Sequence, residues 1–171
     1  MRTSLVVMIL VLLGFAAAAA LFGIYLIPLS TGDPSPVQPI AFSHKVHAGE
    51  NEIHCLYCHR YAKVSRSAGV PDLETCRNCH IIIARDNPEV KKLMEYWKNK
   101  EPVPWVKAHD LPDHVYFPHK MHVNAGTACT FCHGDVASMD RIRRVSSLKM
   151  GWCLGCHRKN KVSIDCWTCH V

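Results

Sequence analysis

Cys153-Leu154-Gly155-Cys156-His157 and, nine residues on, Cys166-Trp167-Thr168-Cys169-His170 decide how the chain must be read. Each is a Cys-x-x-Cys-His unit, and three more precede them: Cys55 to His59, Cys76 to His80 and Cys129 to His133. Together the five units use all ten cysteines. This spacing reads as a c-type haem attachment site: two thiols take up the haem vinyl groups, and the adjacent histidine supplies the proximal nitrogen to iron. The implied cofactors are five covalently bound c-type haems. Zinc sites also use Cys-x-x-Cys pairs, but they combine half-sites and need no histidine fixed behind each second cysteine. A thioredoxin-type motif would stand once beside a βαβ pattern, and none is visible. Disulfides would leave five identical spacings unexplained.

The chain has 171 residues. Once the N-terminal apolar segment is set aside, about 140 remain, fewer than thirty per haem. Such a chain cannot enclose five haems in a protein core of ordinary proportions. The expected fold class is therefore mostly irregular and α, organised by haem, with a few short helices and almost no sheet. The formal charge of +6 would suggest an acidic partner. Ten haem propionates can reverse that sign, and no nucleic-acid recognition motif is present.

Leu5 to Ile27 is a run of twenty-three residues without a charge, following Met1-Arg2-Thr3-Ser4. As a helix it would extend about 34 Å, enough for a hydrocarbon core of ~30 Å. The basic start and Ala16 to Ala20 also resemble a signal peptide, but the run exceeds a usual signal core. The expectation is a single retained transmembrane helix in the cytoplasmic membrane. Arg2 would stay inside and the haem domain would lie on the periplasmic, extracytoplasmic side.

The expected domains are a transmembrane anchor at 1–28, a Pro-rich tether at 29–41 and a two-haem module at 42–86. A linker with a short helix follows at 87–116, and a three-haem module occupies 117–171. The modules rest on an internal repeat. Phe42-Ser43-His44-Lys45-Val46-His47 precedes Cys55, and Phe117-Pro118-His119-Lys120-Met121-His122 precedes Cys129 at nearly the same distance. In the linker, Val90, Leu93, Met94 and Trp97 fall on one helical face over Glu89 to Asn99, with Asp86 or Asn87 as cap and Pro88 in the first turn. The basic cluster Arg141-Ile142-Arg143-Arg144 reads as a solvated face or as partners for propionates.

Phe-x-His-x-x-His before Cys-x-x-Cys-His resembles the class III multihaem cytochromes c, in which each haem binds two histidines. Phe42 to Val171 resembles more narrowly the pentahaem cytochrome subunit of alternative complex III, a bacterial quinol-oxidising membrane assembly. The likeness is carried by Ala68-Gly69-Val70-Pro71, Val103-Pro104-Trp105-Val106, His109 to Phe117 and Met150-Gly151-Trp152-Cys153. It implies an electron-transfer subunit of a respiratory chain, not itself catalytic. The partners it implies are polytopic quinone-binding and iron–sulfur subunits and a periplasmic cytochrome or copper carrier.

His59, His80, His133, His157 and His170 are the proximal ligands in this reading. By resemblance, His44 would face the Cys55/Cys58 haem and His119 the Cys129/Cys132 haem. His47 would face the Cys76/Cys79 haem and His122 the Cys153/Cys156 haem. For the Cys166/Cys169 haem no histidine lies where the family pattern would want one. Met150 is the first choice there and Met139 the second, because a thioether is a known haem ligand; gap-filling beside a porphyrin is the alternative role. His109 or His114 folding back from the linker remains open. His54 has poor reach. A stand-alone membrane-anchored relay and a catalytic multihaem reductase are the competing functions.

Overall fold

The computed structural model describes residues 2–30 and 34–170. The chain falls into two compact units, Met1–Pro34 and Ser35–Val171. The first is one helix, α1 (Arg2–Ser30). Alanine, leucine and valine fill it, so helix propensity is high and no polar face appears. Thr3–Ile24, twenty-two residues, is long and apolar enough to cross a membrane. Leu10, Phe15 and Ile24 lie 63%, 73% and 69% exposed, leaving the helix apolar on every side.

The second unit is built of short helices joined by irregular chain. They are α2 (Cys55–Cys58), α3 (Leu73–His80), α4 (Pro88–Asn99), α5 (His119–Asn124), α6 (Cys129–His133), α7 (Met150–Lys159) and α8 (Cys166–Cys169). A π-helical turn at Lys45–Glu50 and a 3-10 turn at Val136–Ser138 complete the set. Among the described residues the sheet content is one antiparallel bridge, Val115 to His170. The mostly helical and irregular class read from the sequence is the observed one.

The longest of these helices, α4, follows the rules the sequence obeys. Asn87 caps it by accepting the Glu89 N–H at 2.8 Å, and Pro88 occupies the first turn. Lys100 ends it in the left-handed region at φ 57°. Val90 and Leu93 are buried, each worth about 1.5–3 kcal/mol. Leu93 packs with Ile40 and Val103, against which Leu73, Met94, Tyr96 and Trp105 lie.

The stretch read as a tether is held to this unit along its second half. Ala41 N–H donates to Glu89 Oε2 at 2.7 Å, and Gln38 both accepts from Val106 N–H and donates to its carbonyl. Ser35 Oγ donates to the Ile142 carbonyl at 3.2 Å. The two halves of the repeat also touch. Lys45 N–H donates to the Met139 carbonyl at 3.0 Å, and Ser43 Oγ to Asp140 Oδ1 at 3.0 Å. A Cβ on Gly49 would run into the Ala137 carbonyl, so the π-helical turn can approach the 3-10 turn only because residue 49 is glycine.

Protein packing is thin throughout. Among the described residues Ile40, Ala62, Val90, Leu93, Val103 and Met139 are the buried hydrophobic ones, and no polar or charged residue is buried. A unit of this length ordinarily buries far more of its own surface.

Candidate functional site

Every Cys-x-x-Cys-His unit lies on a short helix or helix start. On one helical turn, positions three apart share a face, so both thiols of each pair emerge together. The histidine follows at the helix end: His59 and His170 donate their backbone N–H to Cys55 and Cys166 carbonyls, each at 2.9 Å. All ten thiols are free, which leaves no support for the disulfide alternative. Among the described residues no group of three or more His, Cys, Asp and Glu is arranged to hold a bare metal ion, as a zinc site would require.

The imidazoles carry a shared signature at Nδ1. His59 Nδ1–H donates to the Gly69 carbonyl at 2.6 Å, His80 to Ile83 at 3.1 Å, and His157 to Ser163 at 2.6 Å. His170 donates to the His114 carbonyl at 3.3 Å. The motif-preceding histidines behave alike: His47 donates to Ser43 at 2.8 Å, His119 to Arg66 at 2.9 Å and His122 to Pro118 at 3.1 Å. A carbonyl can only accept, so each of these rings bears a proton on Nδ1, and Nε2 is the nitrogen left to face a metal. That is the tautomer of a metal-ligating histidine with its second nitrogen anchored. Gly69 sits at φ +73°, a conformation that turns its carbonyl toward His59 and suits glycine alone at low cost.

Ring separations agree with that preparation. Metal–imidazole bonds are about 2 Å long, so two rings on one metal have centroids about 6 Å apart. His47 and His80 stand 6.0 Å apart, His122 and His157 6.1 Å, and His119 and His133 6.3 Å. His114 and His170 stack at 5.6 Å with planes 18° apart. The bridge at Val115 and the bond from Tyr116 N–H to the Cys169 carbonyl at 2.7 Å hold this last pair together. For the remaining pair, His44 lies where the charges of His59 and His47 act on it. Its Nδ1 is buried and without a partner.

Partial burial and neighbouring charges keep two half-buried rings in their ligand form. Burial, then His59 and His47, lowers the His44 pKa to about 4. Burial, then His109, His119, His59 and His44, lowers that of His133 to about 4. Both rings are neutral at pH 7, as metal ligation needs. Burial pushes the Cys58 thiol up, helped by Cys55 and Cys79; Cys132 rises through burial, then Cys156, Cys153 and Cys129. Cys153 rises through burial, then Cys169.

A cleft of about 540 Å³ lies beside His80. Ile81, Val90 and Met94 line it with Arg85, Lys91 and Lys98. Glu95 completes the lining, and of the Cys76–His80 unit only His80 borders the cleft.

The methionines occupy other kinds of place. Met139 is buried, 7% exposed, beneath the π-helical turn, and Met150 opens α7 with 59% exposed. The ring that the structure brings to His170 is His114. His54 caps α2, its Nδ1 accepting Leu56 N–H at 3.2 Å. Backbone acceptors such as Gly69, Ile83 and Ser163 had no signal in the sequence, because a carbonyl's aim depends on loop conformation. His109, which meets His133, entered the sequence reading only as an alternative ligand for the Cys166/Cys169 haem.

Free thiol pairs, each followed by an imidazole whose Nδ1 is tied back and, for four of the five, paired with a second ring near 6 Å, define a multihaem c-type cytochrome. Residues 115–171 match the family described as "Cytochrome c7 and related cytochrome c". Over 160 residues the chain is 30% identical to the menaquinone reductase multihaem cytochrome c subunit of Nitratidesulfovibrio vulgaris (strain Hildenborough), spanning 78% of this chain and 76% of that protein. The chain belongs to this multihaem cytochrome c family, and its role is electron transfer.

Proposed function

We propose that the chain binds five haems and serves as the electron-transfer subunit of a membrane quinone oxidoreductase. The observation that carries this is the set of imidazole pairs at 6.0, 6.1 and 6.3 Å, each joining a Cys-x-x-Cys-His histidine to a second histidine. Each bound haem supplies one-electron exchange between ferrous and ferric iron. Cys55/Cys58, Cys76/Cys79, Cys129/Cys132, Cys153/Cys156 and Cys166/Cys169 hold the five haems. His59, His80, His133, His157 and His170 are their proximal ligands. His44, His47, His119 and His122 serve the first four haems from the other side, in that order. For the fifth, the stacked His114, one of the alternatives the sequence left open beside Met150, Met139 and His109, is the distal ligand.

The electrostatic neighbours suggest a route. Cys58 feels Cys79, His133 feels His59 and His44, Cys132 feels Cys153 and Cys156, and Cys153 feels Cys169. Sites held by residues 76–80, 55–59, 129–133, 153–157 and 166–170 then follow one another as a wire. Residues 42–86 act as a two-haem module, 117–171 as a three-haem module and 87–116 as their linker. Helix α1 is a retained anchor, with the haem domain on the periplasmic side. Quinone chemistry belongs to polytopic and iron–sulfur partner subunits, and a periplasmic cytochrome or copper protein exchanges electrons at the far end.

Two directions of flow are distinguished by separate observations. The motifs around Gly69, Trp105, His109 to Phe117 and Trp152 resemble the cytochrome of alternative complex III, where quinol is oxidised. The relative named a menaquinone reductase subunit favours electrons arriving through the cytochrome. The test is gentle solubilisation of the intact complex followed by haem absorbance under two conditions. Reduction of the haems by a menaquinol analogue supports quinol oxidation, and oxidation of pre-reduced haems by the quinone supports the reverse. A monomer that purifies without other subunits, or a high-spin haem that binds nitrite, contradicts the proposal.

A further inference from the structure

Four of the five proximal histidines anchor Nδ1 on a backbone carbonyl. His133 is the exception. Its Nδ1 lies 3.2 Å from Nε2 of His109, a linker side chain twenty-four residues upstream. The two ring centroids are 4.4 Å apart with planes at 64°. That separation is too short for a metal between them. His119, by contrast, stands 6.3 Å from His133 with its plane only 12° away. His133 is thus met from two directions, by a facing ring at ligand distance and by a hydrogen-bonding ring behind it.

An iron-bound neutral imidazole keeps its proton on Nδ1, so His133 donates and His109 accepts. The acceptor is a basic ring nitrogen, where the other four have a peptide oxygen. Drawing the Nδ1 proton away makes His133 a stronger electron donor, which favours ferric over ferrous iron. The same bond fixes the rotation of the His133 ring and hence its near-parallel alignment with His119. His109 is half-buried.

We propose that His109 is a positioning residue for the haem at Cys129 and Cys132, lowering its potential and fixing its ligand plane through the Nδ1 proton of His133. The proposal rests on the five-haem reading above. Its place matters because this site adjoins both the Cys55/Cys58 site and the Cys153/Cys156 site. A tuning device here sets the level of the step between the two modules.

The test compares the full-length holoprotein with His109→Leu and His109→Gln. Haem content is read first by pyridine haemochrome; fewer than five haems in the unaltered protein would fail the underlying reading rather than this inference. With five present, a potentiometric titration of His109→Leu should show one haem shifted positive by about tenfold in its reduction equilibrium, ~59 mV for one electron. The other four should stay put. Glutamine offers a carbonyl acceptor, so His109→Gln should recover most of the shift. The low-spin paramagnetic-resonance signal of the same haem should broaden in the leucine variant as the ring plane is freed. Unchanged potentials in His109→Leu would overturn the proposal. So would a haem that turns high-spin, since His109 would then be an axial ligand itself, or a glutamine variant shifted as far as leucine.

Discussion

Phe42 to His47 and Phe117 to His122 hold the same six-residue pattern seventy-five positions apart, and they adopt nearly the same geometry. Phe42 meets His44 edge-on at 4.9 Å and 86°, and Phe117 meets His119 at 4.9 Å and 87°. Phe42 lies over His47 at 4.3 Å and 27°, and Phe117 over His122 at 4.4 Å and 30°. The second histidine of each pattern donates to the carbonyl four residues back. The phenylalanine therefore acts as a wedge that sets two imidazoles at an angle, so that each can serve a different haem. The halves part company at the first histidine. His119 Nδ1 donates to Arg66 of the first module, whereas the His44 Nδ1 is buried and unpaired. The backbone differs too, π-helical after His44 and α-helical from His119. A duplicated motif thus keeps its ring geometry while its anchoring diverges with the neighbours each copy meets.

Replacing the first histidine breaks the comparison hardest. His44→Ala and His119→Ala should each turn one haem from low-spin to high-spin, seen as a new charge-transfer band and cyanide binding. His119→Ala should also lose more thermal stability, because it removes the side-chain bond to the Arg66 carbonyl, one of several that tie the two modules. Equal loss in both variants would mean that this bond contributes nothing.

The second half carries one site more than the first, and its extra ligand is the next point to test. His114→Leu should leave one haem high-spin, whereas Met150→Leu should leave all five low-spin. The opposite outcome would restore the thioether reading.

A subtler difference concerns ring planes. The pairs 119/133 and 114/170 are close to parallel, at 12° and 18°, while 47/80 and 122/157 are inclined at 63° and 47°. Low-spin ferric haems with parallel imidazoles give rhombic spectra, and inclined planes give a larger principal g-value. Paramagnetic resonance of the oxidised protein should show both classes, with the first module represented in the second. A single class would contradict these angles.

The smallest effect lies between the modules. Asn87→Ala should remove the α4 cap and cost about 1 kcal/mol, lowering Tm by a few degrees with haem content and spectra unchanged. Loss of haem would show that α4 holds a cofactor more directly than its cap suggests.

Much of this architecture was legible because its chemistry is local in sequence. Cys-x-x-Cys-His places three groups on one helical turn, and Phe-x-His-x-x-His does the same for two rings and their wedge. The cap and apolar face of α4 followed from Asn87, Pro88 and the spacing of Val90, Leu93 and Met94. What sequence could not order were contacts set by chain crossing. His114 reaches His170 through a bridge fifty-five residues away in sequence, formed only once the C-terminal end folds back. His109 meets His133 by a similar return of the linker. Local spacing pointed instead to Met150, three residues before Cys153. Such long-range pairings leave no periodic trace.

The most direct test is the intact mass of the purified protein together with its pyridine-haemochrome absorbance. Five haem increments above the polypeptide, with an absorbance equal to five haems per chain, are predicted. A mass equal to the bare polypeptide, or an absorbance short of five haems, would contradict the central claim that five covalently held haems organise this chain.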